Sequence, residues 1–318
     1  MVAQGHLMSQ APAGFKISPY LQELALQVGQ EFPFQQASTW LASLAGVDLD
    51  AKQIERLTHH YGQQLEEQPA PVLGDGSTLH YCMMDGGMVL TRPSQWREMK
   101  VGRIAKATDI ETLTENRKQV NHSVYVAHLG DCEAFFEKFA RHTDELASKV
   151  FLADGAQWIW DKVSERYPNS VQILDFYHCW EKFCGFASLH FADPNERSAW
   201  LDRQQVHLLE GKLGIVVANL LIEQLPLTER TSEPQLKLAQ LLTYVLNNLE
   251  RMRYGYFRKQ GYWIGSGAME AAHRTLVQHR LKRSGQRWTP SGAQQVVNLR
   301  VAFQSGQWKH IIQLVQAA

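Results

Sequence analysis

Three carboxylates stand out by where they fall. Glu270 is the only acid in residues 251–318, a stretch with eleven basic side chains (Arg251, Arg253, Arg258, Lys259, Arg274, Arg280, Lys282, Arg283, Arg287, Arg300 and Lys309). It sits in Ile264-Gly-Ser-Gly-Ala-Met-Glu270, where a glycine-rich turn is expected to open a helix. Asp85 ends the apolar run Leu79-His-Tyr-Cys-Met-Met84 and Asp154 ends Val150-Phe-Leu-Ala153. Both read as strand-end carboxylates, which project into a crevice rather than into a packed face. Two Asp and one Glu offer only oxygen donors, a set suited to Mg²⁺ or to Mn²⁺ as its substitute. In so basic a setting, that is the chemistry of metal ions held against the phosphates of a polyanion.

A further acid, Asp175, ends Val171-Gln-Ile-Leu174 and precedes His178 by three residues. The pair reads either as support for the carboxylate site or as a buried, hydrogen-bonded histidine. Four cysteines, Cys82, Cys132, Cys179 and Cys184, are too few and too scattered for a disulfide framework, and they lack the paired spacing of a zinc site.

The chain of 318 residues is 44% hydrophobic, enough for a sizeable core, and no run of it approaches a membrane span. Met1-Val-Ala-Gln-Gly-His6 lacks the features of a signal peptide, so a soluble, cytoplasmic protein is expected. The formal net charge is zero. That zero averages an acidic body with the basic C-terminal stretch, and the asymmetry points to a polyanionic partner. The alternative is a basic face docked on the acidic body of the same molecule.

The elements that must position these residues are legible in part. Ser18 and Pro19 open a helix with Leu21, Leu24, Ala25 and Val28 on one stripe; Phe34–Ala45 repeats the pattern, and Asp50 caps a third helix. Helix, turn, helix admits a DNA-reading role, although small bundles show the same pattern. A Pro- and Gly-containing stretch, 68–76, follows. Strands are expected at 79–84, 87–91, about 97–105 and 123–127, then a helix over Asp131–Arg141, strand 149–153, a helix from Ala156, and strand 171–174. The latter part implies parallel pairing through right-handed crossovers. Residues 180–256 read as helical. Four regions result: 1–67 N-terminal helical, 78–178 the first part of a mixed-sheet core, 179–256 a helical insertion, and 257–318 the helix of Glu270 with the basic remainder of the core.

Met84-Asp-Gly-Gly-Met-Val89, Leu152-Ala-Asp-Gly-Ala-Gln-Trp-Ile-Trp160, Ile173-Leu-Asp-Phe-Tyr-His178 and Gly265-Ser-Gly-Ala-Met-Glu270, followed by Arg280-Leu-Lys-Arg-Ser-Gly-Gln-Arg-Trp288, occur in that order. Together they resemble the DDE transposases of bacterial insertion sequences, of the ISKra type related to the Mutator-like group. The resemblance covers roughly residues 14–310 and rests on the order and spacing of the four motifs. It implies an α/β fold of the ribonuclease H-like kind, a mixed α+β sheet interrupted by a helical insertion. Asp175 and His178 resemble the [C/D]xxH signature of that group. Members often carry a longer N-terminal region, so the resemblance implies a short product or a truncated copy.

The resemblance further implies that Asp85, Asp154 and Glu270 hold two Mg²⁺ or Mn²⁺ ions, which in such sites lie about 3.5–4 Å apart. Asp85 would bridge them, with Asp175 and His178 in support. Water frees a 3′-OH at the element's end, and that hydroxyl attacks target DNA. Arg274, Arg280, Lys282, Arg283 and Arg287 would hold phosphates of double-stranded DNA, the transposon ends and the target, in a salt-dependent way; a plain i,i+4 ion pair is the competing reading for Arg274 and Glu270. Trp158, Trp160, Trp263 and Trp288 offer stacking surfaces or core packing. A homo-oligomer, nucleoid association and no membrane are expected. Alternatives are a truncated or noncatalytic DNA-binding descendant, a hydrolytic ribonuclease H-like nuclease, and a glycosidase, for which the basic tail has no purpose.

Overall fold

The computed structural model describes residues 15, 17–65, 78–114, 117–224, 232–265 and 267–317. The expected linker 68–76 and Ser266 lie outside these. The fold is mixed α/β. Its strands are β1 (His80–Thr91), β2 (Gln95–Lys106), β3 (Ile110–Thr114), β4 (Arg117–Val120), β5 (Val124–Leu129), β6 (Lys149–Ala153) and β7 (Val171–Leu174). Its helices begin with α1 (Pro19–Glu31), α2 (Phe34–Ala45), α3 (Ala51–Gln64), α4 (Cys132–Thr143), α5 (Gln157–Arg166), α6 (Phe176–His190) and α7 (Pro194–Glu210). They continue with α8 (Leu213–Gln224), α9 (Glu233–Asn247), α10 (Tyr254–Lys259), α11 (Gly267–His273), α12 (His279–Leu281), α13 (Pro290–Gln304) and α14 (Trp308–Ala317). Among the described residues no helix is long and apolar enough to cross a membrane.

Five strands form one mixed sheet in the order β5-β2-β1-β6-β7, and β3 pairs with β4 alone. β6 runs parallel to β1 and β7, while β2 and β5 are antiparallel. The turn 92–94 is too short for a crossover, so β1 and β2 form an antiparallel hairpin. The strands expected at 79–84 and 87–91 are one continuous β1, so Asp85 is interior to a strand and not at its end. The Asp-Gly-Gly sequence suggests a turn, but here both glycines lie within β1, and neighbouring side chains occupy the space a Cβ would need at each. The β3–β4 hairpin, in register from Ile110↔Val120, is an element the sequence reading did not anticipate.

The chain divides into two compact units. The first comprises Met1–Gly76, Asp85–Leu146 and Glu270–Ala318, the second Ser77–Met84 and Ala147–Met269.

In the first unit the N-terminal helices start where sequence placed them: Ser18 Oγ accepts from Leu21 N at 3.3 Å and Asp50 Oδ1 from Lys52 N at 2.7 Å. Gly46, at φ 64°, ends α2 in the left-handed conformation. Ala25, Leu26, Ile54, Leu57 and Tyr61 share one core with Leu299, Ile311 and Val315 of α13 and α14. Residues of the N-terminal and C-terminal regions are thus interleaved in a single core. α3 packs against α1, α2 and α13, and a Cβ at Gly62 would collide with the main chain of Gln295. One face of α3 is thus packed, while Lys52, Gln53 and Arg56 on it are exposed. The outer edge of β5 is covered by α13: Gln294 Oε1 accepts from Leu129 N at 2.7 Å, its Nε2 donates to Ala127 O at 3.1 Å, and Ser305 Oγ accepts from Tyr125 N at 3.0 Å.

α11 runs into a π-turn, Arg274–Gln278, before continuing as α12. A π-turn loosens the regular carbonyl pairing, and Arg300 of α13 occupies the acceptors it leaves. Arg300 Nε donates to Leu276 O at 3.0 Å and Nη2 to Thr275 O, while Nη1 reaches Gln30 O at 2.8 Å and Glu31 Oε2 at 2.9 Å. Beside it Arg280 donates to Gly29 O at 3.3 and 3.2 Å, and its guanidinium lies 4.7 Å from the Phe34 ring centre and 4.8 Å from that of Trp288.

In the second unit, β6 and β7 alternate with α5 and α6, and α6–α9 pack round Phe183, Phe186, Trp200, Val216, Leu220, Leu241 and Val245.

Arg300 yields a stability prediction. Arg300→Ala leaves several acceptors without a donor, and the expected loss is about 3 kcal/mol, read as a lower urea midpoint at unchanged m-value. Arg300→Lys recovers little of it, because an ammonium cannot span the fork of acceptors.

Candidate functional site

In the first unit, Asp85 and Glu270 are carried by β1 and α11. Asp85 Oδ1 accepts from Gly86 N at 2.7 Å. A Cβ at Gly86 would collide with the Glu98 carboxylate, and one at Gly87 with the His273 ring. These two glycines let β2 and α11 press against the strand on either side of the residue next to Asp85. Glu98 is in turn held by Lys100, whose Nζ lies 2.6 Å from Glu98 Oε2 and 2.7 Å from Gly130 O. His273, one turn past Glu270, is buried and has Nε2 3.8 Å from Asp85 Oδ2. Burial, then the charge of Lys282, pushes this imidazole down to about 4, so it is neutral at pH 7.

Glu270 is exposed and makes no hydrogen bond or ion pair among the described residues; the i,i+4 pair with Arg274 is not formed. Arg274, Lys282, Arg283 and Arg287 are also exposed. Arg280 is not, and its expected place among the phosphate-binding cations is corrected: it is fully buried, and burial followed by the nearby Arg300 and Arg283 charges pushes it down to about 9. The π-turn supplies the reason. It inserts one residue into the helix, so Arg280 lies nine rather than ten steps of about 100° from Glu270, half a turn away from it.

In the second unit, Asp154 follows the last residue of β6. Its Oδ1 accepts from Ala156 N at 3.0 Å, and its carbonyl from Trp160 Nε1 at 2.7 Å. The β1–β6 ladder ends on the pair Met84↔Ala153, and the next residue along each chain is an aspartate. Asp175 caps α6: its Oδ1 accepts from His178 N at 2.7 Å and faces His178 Nδ1 at 3.2 Å. That hydrogen bond, working against desolvation and aided by the charges of Asp175, Asp154 and Glu181, raises His178 to about 9.

Two features escaped sequence reasoning. Tyr244, from the helical insertion, lies where a Cβ at Gly155 would be, and its buried hydroxyl has no partner among the described residues. Burial, then Cys179, Asp154 and Asp175, push it far above the usual phenol range. A polar cavity of about 360 Å³ lies alongside, lined by Gly155, Gln157, Trp160, Asn247, Asn248 and Arg251. Arg251 covers the Trp160 ring at 4.6 Å, and Trp160 and Trp288 are buried, so neither offers a free face for a base. Among the described residues, no group of three or more His, Cys, Asp or Glu side chains is arranged to hold a metal ion.

The raised His178 gives a pH prediction. A folded pKa of about 9 against 6.5 means that the Asp175–His178 bond stabilises the fold fully below pH 6.5 and is lost as pH rises through 9. Tm measured across this window is expected to fall more steeply in the wild type than in Asp175→Asn; equal slopes would remove His178 as the responsible group.

No protein-family model matches the chain. It is similar to the UPF0236 protein in the vanSb 3′ region of Streptococcus gallolyticus, with 25% identity over 305 residues, covering 92% of this chain and 64% of that protein. The chain thus spans a little under two thirds of the relative's length, and the relative's name states no activity.

Proposed function

We propose that the chain is a DDE transposase of an insertion sequence, with a ribonuclease H-like core, that cuts and rejoins DNA at Asp85, Asp154 and Glu270. The observation that carries this reading is Glu270: a solvent-exposed carboxylate, unpaired among the described residues although Arg274 lies one turn away, in a stretch otherwise basic. A carboxylate left open among cations has a use if a cation is its ligand and the surrounding arginines serve a polyanion. The strand order supports the fold assignment, with an antiparallel trio followed by two parallel strands, and the carboxylates come directly after the register pair Met84↔Ala153. The distant relative supports it only in extent, since the similarity runs through 92% of the chain.

The all-oxygen donors suit Mg²⁺, with Mn²⁺ as substitute and two ions in all. When bound, such ions stabilise charge on attacking and leaving phosphate oxygens. The chain's own residues do the rest. Arg274, Lys282, Arg283 and Arg287 hold double-stranded DNA by its phosphates, and Asp175 fixes His178 as a cation. A homo-oligomer would bring two element ends together.

The reading is tested by nicking of supercoiled plasmid with Mg²⁺ or Mn²⁺. Asp85→Asn, Asp154→Asn and Glu270→Gln are each expected to lose more than the about 10–100-fold that follows removal of a residue supporting a metal ligand. Activity that survives all three at matched concentration would sink the assignment, and cut but never joined products would mark a hydrolytic nuclease.

The surface cations give a separate test in the salt dependence of DNA affinity. Lys282→Ala, Arg283→Ala and Arg287→Ala should each reduce the log–log salt slope by about 1. Arg280→Ala should instead lower Tm, because its guanidinium is interior.

A further inference from the structure

Trp96 is 62% exposed, the most open of the chain's nine tryptophans, and its indole makes no hydrogen bond or ring contact among the described residues. It sits at the free end of the β1–β2 hairpin, in Arg92-Pro-Ser-Gln-Trp-Arg97, which holds two arginines and no acid. A second acid-free stretch, residues 274–288, is joined to that end. Arg92 N donates to Trp288 O at 2.7 Å, Thr91 bridges Trp288 in parallel, and Arg287 Nη1 donates to Ser94 Oγ at 3.5 Å. Trp288 is buried, with Nε1 donating to Leu281 O at 3.2 Å, so it is spent on anchoring the loop to the hairpin. Trp96 has no such use. Arg92, Arg97 and Arg287 are exposed, and their guanidinium groups meet no carboxylate among the described residues; Arg97 donates only to Gln95 Oε1, at 3.4 Å. The next acid along the strand, Glu98, is taken by Lys100 Nζ at 2.6 Å. A lone exposed apolar side chain needs no explanation, but a tryptophan set among cations that lack counter-ions forms a surface with a definite chemistry.

We infer that this hairpin end binds an unpaired DNA base, with Trp96 stacking on the base and Arg92, Arg97 and Arg287 holding the flanking phosphates. An aromatic platform beside positive charge is the combination that takes single strands, since every base has a π-face and its phosphates need cations. A base inside a duplex is already stacked on both sides and offers no free face. The site therefore selects an overhang or a strand end over an intact duplex. β1 runs six residues on from Asp85 to Thr91, about 20 Å of extended chain, which matches about six nucleotides of one strand. Strand ends are what the proposed cleavage produces. The inference rests on DNA as the partner in that reading, and not on the three carboxylates.

The experiment is fluorescence anisotropy of labelled DNA with the intact protein in EDTA, so that no cleavage intervenes. The probes are a blunt duplex and the same duplex with an overhang of about six nucleotides. The wild type is expected to bind the overhang form more tightly. Trp96→Ala should keep the wild-type Tm, because the side chain is exposed, and weaken overhang binding by about 10-fold, with a smaller effect on the blunt form. Trp96→Phe retains an aromatic face and should keep most of the gain. Arg92→Ala and Arg97→Ala should each reduce the log–log salt slope by about 1. Equal affinity for the two forms in the wild type, or a gain that survives Trp96→Ala, would overturn the site and leave duplex binding by Lys282, Arg283 and Arg287 standing. Self-association lost in Trp96→Ala with both DNA affinities unchanged, read by sedimentation, would assign the surface to a second copy of the chain instead. A wild type that binds neither DNA would overturn both the site and the reading it rests on.

Discussion

The guanidinium of Arg300 is the contact on which the first unit turns. A π-turn inside a helix is costly unless its loosened carbonyls find donors, and here they are Thr275 O and Leu276 O, both filled by one side chain from α13. The same guanidinium reaches Gln30 and Glu31 at the end of α1. One buried charge therefore joins α1, the helix that continues from Glu270, and α13. Removing it would free the π-turn to revert to ordinary helix, turning every later residue by about 100°.

That rotation matters because the helix presents different chemistry on different sides. Glu270 faces solvent, His273 and Leu276 face inward, and Arg280 enters the aromatic slot between Phe34 and Trp288. A regular helix would carry Arg280 about 80° from Glu270 rather than opposite to it. The local irregularity is thus what allows one helix to expose a carboxylate and bury a guanidinium ten residues on. On the facing strand, Gly86 and Gly87 remove the two side chains that would hold Glu98 and His273 away from Asp85. Strand and helix are matched by omission of atoms on one and insertion of a residue in the other.

How much of this was legible follows from how local the signals are. Helix starts at Ser18, Asp50 and Asp131 were legible because a cap is satisfied within three residues, and each of these side chains accepts from a nearby main-chain N–H; Asp175 caps α6 in the same way, but it was read as the end of a strand with helix only from about 180. The parallel strands were legible from short apolar runs. Asp85 was placed at a strand end because Asp-Gly-Gly has the composition of a turn; that the glycines serve contact with Glu98 and His273 depends on residues 12 and 186 positions away from them in the chain. The π-turn leaves no comparable mark in Arg274-Thr-Leu-Val-Gln278, so the burial of Arg280 and the packing of α3 on α13 could not be read off periodicity.

The charge asymmetry of the sequence consequently has two physical origins, and they call for different reasoning. Arg280 and Arg300 are present because a planar cation with five donors can satisfy carbonyls from several helices at once; they would be needed whatever the protein bound. Arg274, Lys282, Arg283 and Arg287 have no comparable role in packing, and their exposure on the segment that follows Glu270 is what a polyanion would encounter. Counting both groups together overstates the electrostatic surface, yet the exposed group alone still faces no acid of its own segment but Glu270. Four surface cations and one open carboxylate thus make up the polar surface of this segment that a polyanion would meet, a smaller set than the sequence suggested, and one whose arrangement the buried pair maintains.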